Sequence, residues 1–176
     1  KLMHIGIKGY QPLTQADANL VFLLDVSGSM SSADKLPLVK RSMQLLLNNL
    51  KPTDKVSIVV YAGAAGVVLD PTPVRDKAQI MAALDRLQAG GSTAGGQGLA
   101  LAYQMAEQNY VKGAVNRIIL ATDGDFNVGI RSSKELKDYV ARKRDNGIFL
   151  SILGFGQGNL NDQLMQSLAQ NGNGVA

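Results

Sequence analysis

The chain has 176 residues, of which 45% are hydrophobic and 18% are charged, and its formal net charge at pH 7 is +4. These values are typical of one globular domain with a core of its own, and a basic excess this mild, with few aromatic residues and no Trp, argues against a nucleic-acid partner. The absence of cysteine excludes disulfides and thiolate metal sites, and no apolar run approaches the ~20 residues of a membrane-spanning helix.

The first 17 residues are predicted to lie outside the main core. Residues 3–10 alternate between apolar and polar side chains, which indicates a half-exposed strand, and the following residues to about 17 form a linker. We therefore expect an N-terminal strand and linker at 1–17 and one main domain at 18–176. Because the chain starts at Lys1 rather than Met, we expect it to be a piece of a longer protein with flanking domains.

Residues 20–24 are five consecutive apolar residues, followed at once by Asp25, Ser27 and Ser29. The apolar run predicts a buried strand, and ligand sites of open α/β sheets lie at the carboxyl ends of such strands. A carboxylate and two hydroxyls offer only oxygen, which is the donor that hard cations such as Mg²⁺ take. Taken alone, the same letters are equally typical of a strand end, a turn and a helix cap.

The rest of the chain alternates between helices and strands. A brief connection at 62–65 makes the third strand the antiparallel partner of the second. The predicted strands are 20–24, 56–61, 66–69, 117–122 and 148–155. The predicted helices are one between 31 and 51 with an inward stripe of Val39, Met43, Leu46 and Leu50, one at 75–87, one after 98, one at 132–146 and one at 161–170. This order predicts an α/β fold: a doubly wound, Rossmann-like, mostly parallel sheet with one short antiparallel edge strand and helices on both faces.

Two stretches suggest other ligands. The glycine-rich residues 90–98 could hold phosphate through backbone amides, but they lack the lysine of a P-loop and the preceding strand of a dinucleotide site. The helix at 132–146 carries many Lys and Arg residues, for which a solvated outer face is the favoured interpretation and a basic docking patch the alternative.

Five oxygen donors are expected to converge at one edge of the sheet. The loops after Leu24 and Thr122 emerge at the same edge, and the second of them begins with Asp123. The glycine-rich loop can bring Thr93 to the same place. The candidate metal ligands are Asp25, Ser27, Ser29, Thr93 and Asp123.

This set resembles the metal-ion-dependent adhesion site (MIDAS) of von Willebrand factor A-type domains, whose pattern is D-x-S-x-S, then T, then D. Here it reads D-V-S-G-S at 25–29, Thr93 in G-G-S-T, and Asp123 in T-D-G. The resemblance covers roughly residues 18–171. Within the superfamily, L-V-F-L-L-D-V-S-G-S-M and T-D-G-D-F-N-V-G are similar to a bacterial branch whose members are labelled calcium-activated chloride channel homologues, lipoproteins or secreted proteins.

The resemblance implies a role for each ligand. Ser27, Ser29 and Thr93 would coordinate the ion through their hydroxyls, and Asp25 and Asp123 would act largely through bound water. Mg²⁺ is the favoured ion, with Mn²⁺ or Ca²⁺ as alternatives, because Mg²⁺ retains waters in a partly built octahedron. Asp125, a third acid nearby, is expected to point to solvent.

The resemblance also implies a function and a place. The domain would be a non-enzymatic adhesion or scaffolding module whose ion accepts an Asp or Glu of a partner protein, in an extracytoplasmic location: periplasmic, surface-anchored or secreted. The family's last strand and helix follow the position of Gln170, so we expect this domain to lack both, with residues 3–10 partly covering the gap.

Two other functions stay open. The first is a magnesium-dependent phosphatase of the haloacid-dehalogenase type, since D-x-S-x-S is similar to its D-x-D-x-T motif, although Ser27 stands where that chemistry needs a second acid. The second is a structural domain with a vestigial site. A serine hydrolase is disfavoured because His4, far upstream, is the only histidine.

Overall fold

The computed structural model describes residues 17–32, 35–61, 65–88, 95–122 and 133–154. The strands are β1 (Ala18–Asp25), β2 (Lys55–Tyr61), β3 (Ala65–Pro73), β4 (Val115–Thr122) and β5 (Ile148–Gly154). The α-helices are α1 (Leu36–Leu47), α2 (Lys77–Asp85), α3 (Gly95–Gln108) and α4 (Ser133–Asp145), with short 3₁₀ turns at Gly28–Met30 and Val74–Asp76. None of the helices in these ranges is long and apolar enough to cross a membrane.

The five strands form one sheet in the order β3-β2-β1-β4-β5. β1 is parallel to β2 and to β4, β4 is parallel to β5, and β3 is antiparallel to β2. The predicted fold class is confirmed. From β1 the chain turns to one side for β2 and β3, and it then crosses to the other side of β1 for β4 and β5. The strand order therefore reverses beside β1. Open α/β sheets leave a crevice at their carboxyl edge where the order reverses in this way.

Apolar side chains cover both faces of the sheet, which explains why β1 is an unbroken apolar run. Leu20, Phe22 and Leu24 pack in the core beneath α1 and α2. Val21 and Leu23 pack on the opposite face beneath α3 and α4. The central strand is therefore fully buried between two layers of helices.

The third strand is longer than predicted. It continues through Pro71 to Pro73, which pairs with Lys55, instead of ending at residue 69. Proline lacks an N–H and is tolerated only where the strand needs no donor on its outer side, as at the edge of a sheet. As a result, the next helix starts later than predicted, with a 3₁₀ turn before α2.

Two helix boundaries also differ from the prediction. α1 ends at Leu47, and the buried residue of its last turn is Leu47. The predicted stripe had placed Leu46 and Leu50 inward, but both are only half-buried. α3 begins at Gly95, inside the glycine-rich stretch predicted to be a loop. The end of α4 agrees within a residue, because Gly147 adopts a φ of +90° that terminates the helix.

Several predictions fall outside the described residues. They are the strand at 3–10, the helix at 161–170, the lack of a last strand and helix, and the positions of Thr93, Asp123 and Asp125. These stay predictions.

Candidate metal centre

The candidate centre lies where β1 ends. Asp25 is the last residue of the strand and pairs in register with Tyr61 of β2. The next amide, of Val26, donates to the Tyr61 carbonyl at 3.0 Å, and the chain then leaves the sheet in the 3₁₀ turn Gly28–Met30. Met30 is buried and anchors this turn. The local fold thus presents Asp25, Ser27 and Ser29 in sequence at the carboxyl edge.

The Asp25 carboxylate is fully buried and receives hydrogen bonds at both of its oxygens. Oδ1 accepts the backbone N–H of Ser27 at 2.9 Å and the Ser27 hydroxyl at 2.6 Å. Oδ2 accepts the hydroxyl of Thr122, at the end of β4, at 3.2 Å. A buried charge is tolerated when donors surround it in this way, and the short bond from Ser27 is typical of an ionised acceptor.

The Ser27 and Ser29 hydroxyl oxygens lie 3.0 Å apart. A hydroxyl has one proton, and Ser27 directs its proton to Asp25, so Ser29 is the donor between the two serines. Ser27 is buried whereas Ser29 is exposed, so the hydroxyls form a path from the buried carboxylate to the surface. Ser27 accepts the bond from Ser29 with one lone pair, so each serine oxygen keeps at least one lone pair that these hydrogen bonds do not use.

This donor set fits a small hard cation. In an octahedral site with bonds of about 2.1 Å, two adjacent ligand oxygens lie about 3.0 Å apart, and the two serine oxygens have this separation. Ca²⁺, which takes six to eight oxygens in a more flexible geometry, could accept the same pair, so this separation does not choose between the two ions. In the described ranges, this edge of the sheet included, no group of three or more acidic, histidine or cysteine side chains could hold a metal ion, so a cation here would depend on the serine hydroxyls.

The structure brings three of the five predicted ligands together: Asp25, Ser27 and Ser29. Thr93 and Asp123 lie outside the described residues, so their part in the site stays a prediction. Residues close to both in the sequence are described. β4 ends at Thr122, next to Asp123 in the sequence and in contact with Asp25, and α3 begins at Gly95, two residues after Thr93.

Thr122 is a residue that sequence reasoning assigned only to a strand. Leu24 of β1 pairs with Ala121 of β4, so the residues that follow them, Asp25 and Thr122, lie side by side. The available signal was a hydroxyl residue at the end of the strand adjacent to β1. Without the strand order, that signal could not be connected to Asp25.

Comparison with known proteins agrees with the fold described above. The family model described as von Willebrand factor type A domain matches residues 19–176. The Escherichia coli K12 protein YfbK, itself described as uncharacterized, is 48% identical over 157 residues, which are 89% of this chain and 27% of that protein. The chain therefore spans far less than two thirds of this curated relative.

Two solved structures show the same fold. BatB from Bacteroides thetaiotaomicron superposes with a TM-score of 0.74 at 24% identity, covering 90% of this chain and 88% of that chain. Proximal thread matrix protein 1 from the mussel byssus, with a zinc-occupied MIDAS motif, superposes with a TM-score of 0.70 at 22% identity, covering 91% of this chain and 41% of that chain. From the match of the family model over residues 19–176, we conclude that this chain belongs to the von Willebrand factor type A domain family.

Proposed function

We propose that this domain is a metal-dependent protein-binding module for adhesion or scaffolding, in which Mg²⁺ at the end of β1 accepts an Asp or Glu side chain from a partner protein. Domains of this family generally mediate metal-dependent protein interactions and are mostly not enzymes. The observation that carries the proposal is the pair of serine hydroxyls 3.0 Å apart, backed by a buried carboxylate.

The proposed ligands have distinct tasks. Ser27 and Ser29, with Thr93, would bind the ion through hydroxyl oxygens, and Asp25 and Asp123 would act largely through water. The ion would supply an electrophilic centre for an anionic ligand. Two carboxylates balance a divalent charge and the hydroxyls add none, so the ion keeps its attraction for a further carboxylate. Mn²⁺ or Ca²⁺ are alternative ions, and the zinc-occupied site of the mussel protein supports testing zinc as well.

The setting of the domain is also part of the proposal. We propose that it belongs to a bacterial, extracytoplasmic protein with flanking domains. Its similarity to part of a longer Escherichia coli protein supports the bacterial source and the flanking domains. The partner would be a protein, and neither nucleic acid nor a membrane span of this chain is required.

The first test is calorimetric titration of Mg²⁺, Mn²⁺, Ca²⁺ and Zn²⁺ into the purified chain and into Ser29→Ala and Thr93→Ala. Ser31→Ala, an exposed serine two residues beyond Ser29, is the matched control. We expect saturable binding by the parent and the control, and affinity at least about 10-fold lower in the other two variants. Equal affinity of Ser29→Ala and the parent, or no binding of any ion by the parent, would overturn the proposal.

The second test concerns the partner. Peptides selected in Mg²⁺ from a displayed random library should contain an Asp or Glu that is essential for binding. Changing that residue to Asn or Gln, or adding EDTA, should release the peptide, because a neutral amide is a much weaker ligand for a divalent cation. Binding that survives both changes would place the protein-binding surface elsewhere.

The phosphatase alternative is disfavoured by the surroundings of Asp25. A nucleophilic carboxylate needs an accessible oxygen, but Asp25 is fully buried and accepts hydrogen bonds at both oxygens. Ser27, at the position of the second acid, donates its proton to Asp25 and so cannot serve the leaving group. Hydrolysis of p-nitrophenyl phosphate by the purified chain in Mg²⁺ would revive this alternative.

A further inference from the structure

Thr122 has a place at the site that the five-residue motif does not include. Its side chain is fully buried at the carboxyl end of β4, and its hydroxyl donates to Asp25 Oδ2 at 3.2 Å. The other oxygen of the same carboxylate accepts from Ser27. The Asp25 carboxylate is therefore held from opposite sides, by Thr122 on β4 and by the backbone N–H and hydroxyl of Ser27 in the turn after β1.

The direction of these hydrogen bonds matters for the cation. An ionised carboxylate only accepts, so Thr122 and Ser27 both direct their protons to Asp25. The proton of Ser27 is thereby turned inward, and its lone pairs are turned toward Ser29 and the surface. This arrangement depends on the plane of the carboxylate, because a carboxylate rotates easily about its last side-chain torsion.

We propose, building on the function proposed above, that Thr122 is a positioning residue of the metal site. By holding Oδ2, its hydroxyl fixes the plane of the Asp25 carboxylate, which in turn keeps the Ser27 hydroxyl oriented with its lone pairs toward the cation. Thr122 does not touch the ion. Partners that orient metal ligands in this way typically change metal affinity by 10- to 100-fold when they are removed.

The test compares Mg²⁺ affinity by calorimetry in the parent, Thr122→Val and Thr122→Ser. Valine has nearly the shape of threonine but no hydroxyl, and we expect its Mg²⁺ affinity to be about 10-fold lower. Serine retains the hydroxyl, and we expect its affinity to lie within about 3-fold of the parent value. This rescue separates the hydrogen bond from the filling of space.

Thr72→Val is the matched control. Thr72 is a buried threonine of β3 whose hydroxyl donates to the Asp70 carbonyl at 2.7 Å, and it pairs with Val56 near the start of β2, away from the site. We expect this variant to melt at a lower temperature and to bind Mg²⁺ with unchanged affinity. If Thr122→Val does not fold, Thr122→Ala takes its place, and circular dichroism checks the fold of each variant before titration.

The outcomes distinguish this inference from the function on which it rests. No Mg²⁺ binding by the parent overturns both. Binding by the parent with equal affinity in Thr122→Val, or an equal loss in Thr122→Ser, overturns the positioning role alone. An equal loss in Thr72→Val would show that any buried hydroxyl has this effect, and the role assigned to Thr122 would fail.

Discussion

Gly98 of α3 lies against Tyr61 of β2 so closely that a Cβ at Gly98 would be 2.8 Å from the Tyr61 Cβ. The Tyr61 Cβ is fixed by the backbone of a buried strand and cannot move aside as a flexible side-chain end could. Tyr61 also pairs in register with Asp25. The absence of a side chain at Gly98 is therefore what allows the first turn of α3 to approach the carboxyl edge of the sheet.

Gly98→Ala should destabilise the domain. The added methyl would push α3 from β2, and overpacking of this kind costs about 1–3 kcal/mol, more than the ~1 kcal/mol gained from the helix propensity of alanine. The free energy of unfolding in urea measures the change. Gly66→Ala is the control, since nothing lies within 4 Å of a Cβ there, and we expect it to be neutral or slightly stabilising. Equal stability of the two variants would show that α3 is not so close to β2.

Arg117 of β4 is a buried cation. It is 9% exposed, its Nη1 donates to the Ser151 hydroxyl at 2.6 Å, and its guanidinium lies 5.7 Å from the centre of the Phe149 ring. Burial lowers its pKa, and among the described residues its Nε has no hydrogen-bond partner. Within the part of the chain that the structure describes, no carboxylate forms an ion pair with it.

Arg117→Met should therefore leave the domain about as stable as the parent, because an apolar side chain removes the penalty of a buried charge while the hydrogen bond to the buried Ser151 hydroxyl is lost. Urea unfolding of Arg117→Met and of the exposed control Arg86→Met measures this difference. A loss of several kcal/mol in Arg117→Met alone would reveal an acidic partner from outside the described residues.

Lys143 connects α4 to α3. Its Nζ lies 2.6 Å from Glu107 Oε2 and 5.2 Å from the centre of the Tyr139 ring, and its side chain is only 20% exposed. We expect Lys143→Met to destabilise the domain by about 1 kcal/mol, because both an ion pair and a cation–π contact are lost.

The control for Lys143 is Lys134→Met on the same helix. Lys134 is 85% exposed and lies 3.5 Å from Asp138, so its ion pair should contribute less than about 0.5 kcal/mol. Thermal unfolding of both variants under the same conditions provides the comparison. An equal effect of the two substitutions would contradict the special role of Lys143.

Asp17 should titrate below its usual range. The Thr53 hydroxyl donates to Asp17 Oδ1 at 2.8 Å and Lys51 Nζ lies 3.0 Å from the same atom, and these contacts lower the pKa of the carboxyl group from 3.8. A carboxyl whose pKa is lowered by folding stabilises the fold above its unfolded pKa, and this contribution is lost as the pH falls through the folded pKa. Because the carboxylate is 54% exposed, the effect on stability should be small.

Thr53→Ala should raise the pKa of Asp17 toward 3.8, since the hydroxyl is the largest cause of the shift. Titration of the Asp17 carboxyl carbon by NMR measures the value directly in both proteins. An unchanged pKa in the variant would assign the shift to Lys51 instead.

The sequence alone predicts the order of the elements between residues 18 and 154, because apolar periodicity reports burial directly. It is insufficient where one residue type occurs both in loops and, for a tertiary reason, inside a strand or helix. Pro71 and Pro73 fall between the strand predicted at 66–69 and the helix predicted at 75–87, yet at the edge of a sheet a strand can contain residues without an N–H. The glycines from residue 95 onward were interpreted as loop, although the contact of Gly98 with Tyr61 is a tertiary reason for glycine inside a helix.

Only the part of the candidate site that is local in the sequence could be predicted. Asp25, Ser27 and Ser29 are near neighbours in the sequence, so the end of one strand brings them together. Thr122 could not be connected to them, because its contact with Asp25 depends on which strand lies beside β1. Such a neighbour is set by the topology of the whole sheet rather than by local sequence.

The 97 positions between Asp25 and Thr122 have a consequence for the synthesis of the protein. A nascent chain that has completed β1 and β2 already contains both serines, but its Asp25 still lacks the donor from β4. If Thr122 positions the site as we propose, the hydroxyls would acquire their final orientation only after α3 has been made and β4 has joined the sheet. In that case the proposed capture of a cation, and of an acidic partner through it, would come late in folding, and the growing chain would be protected from premature association.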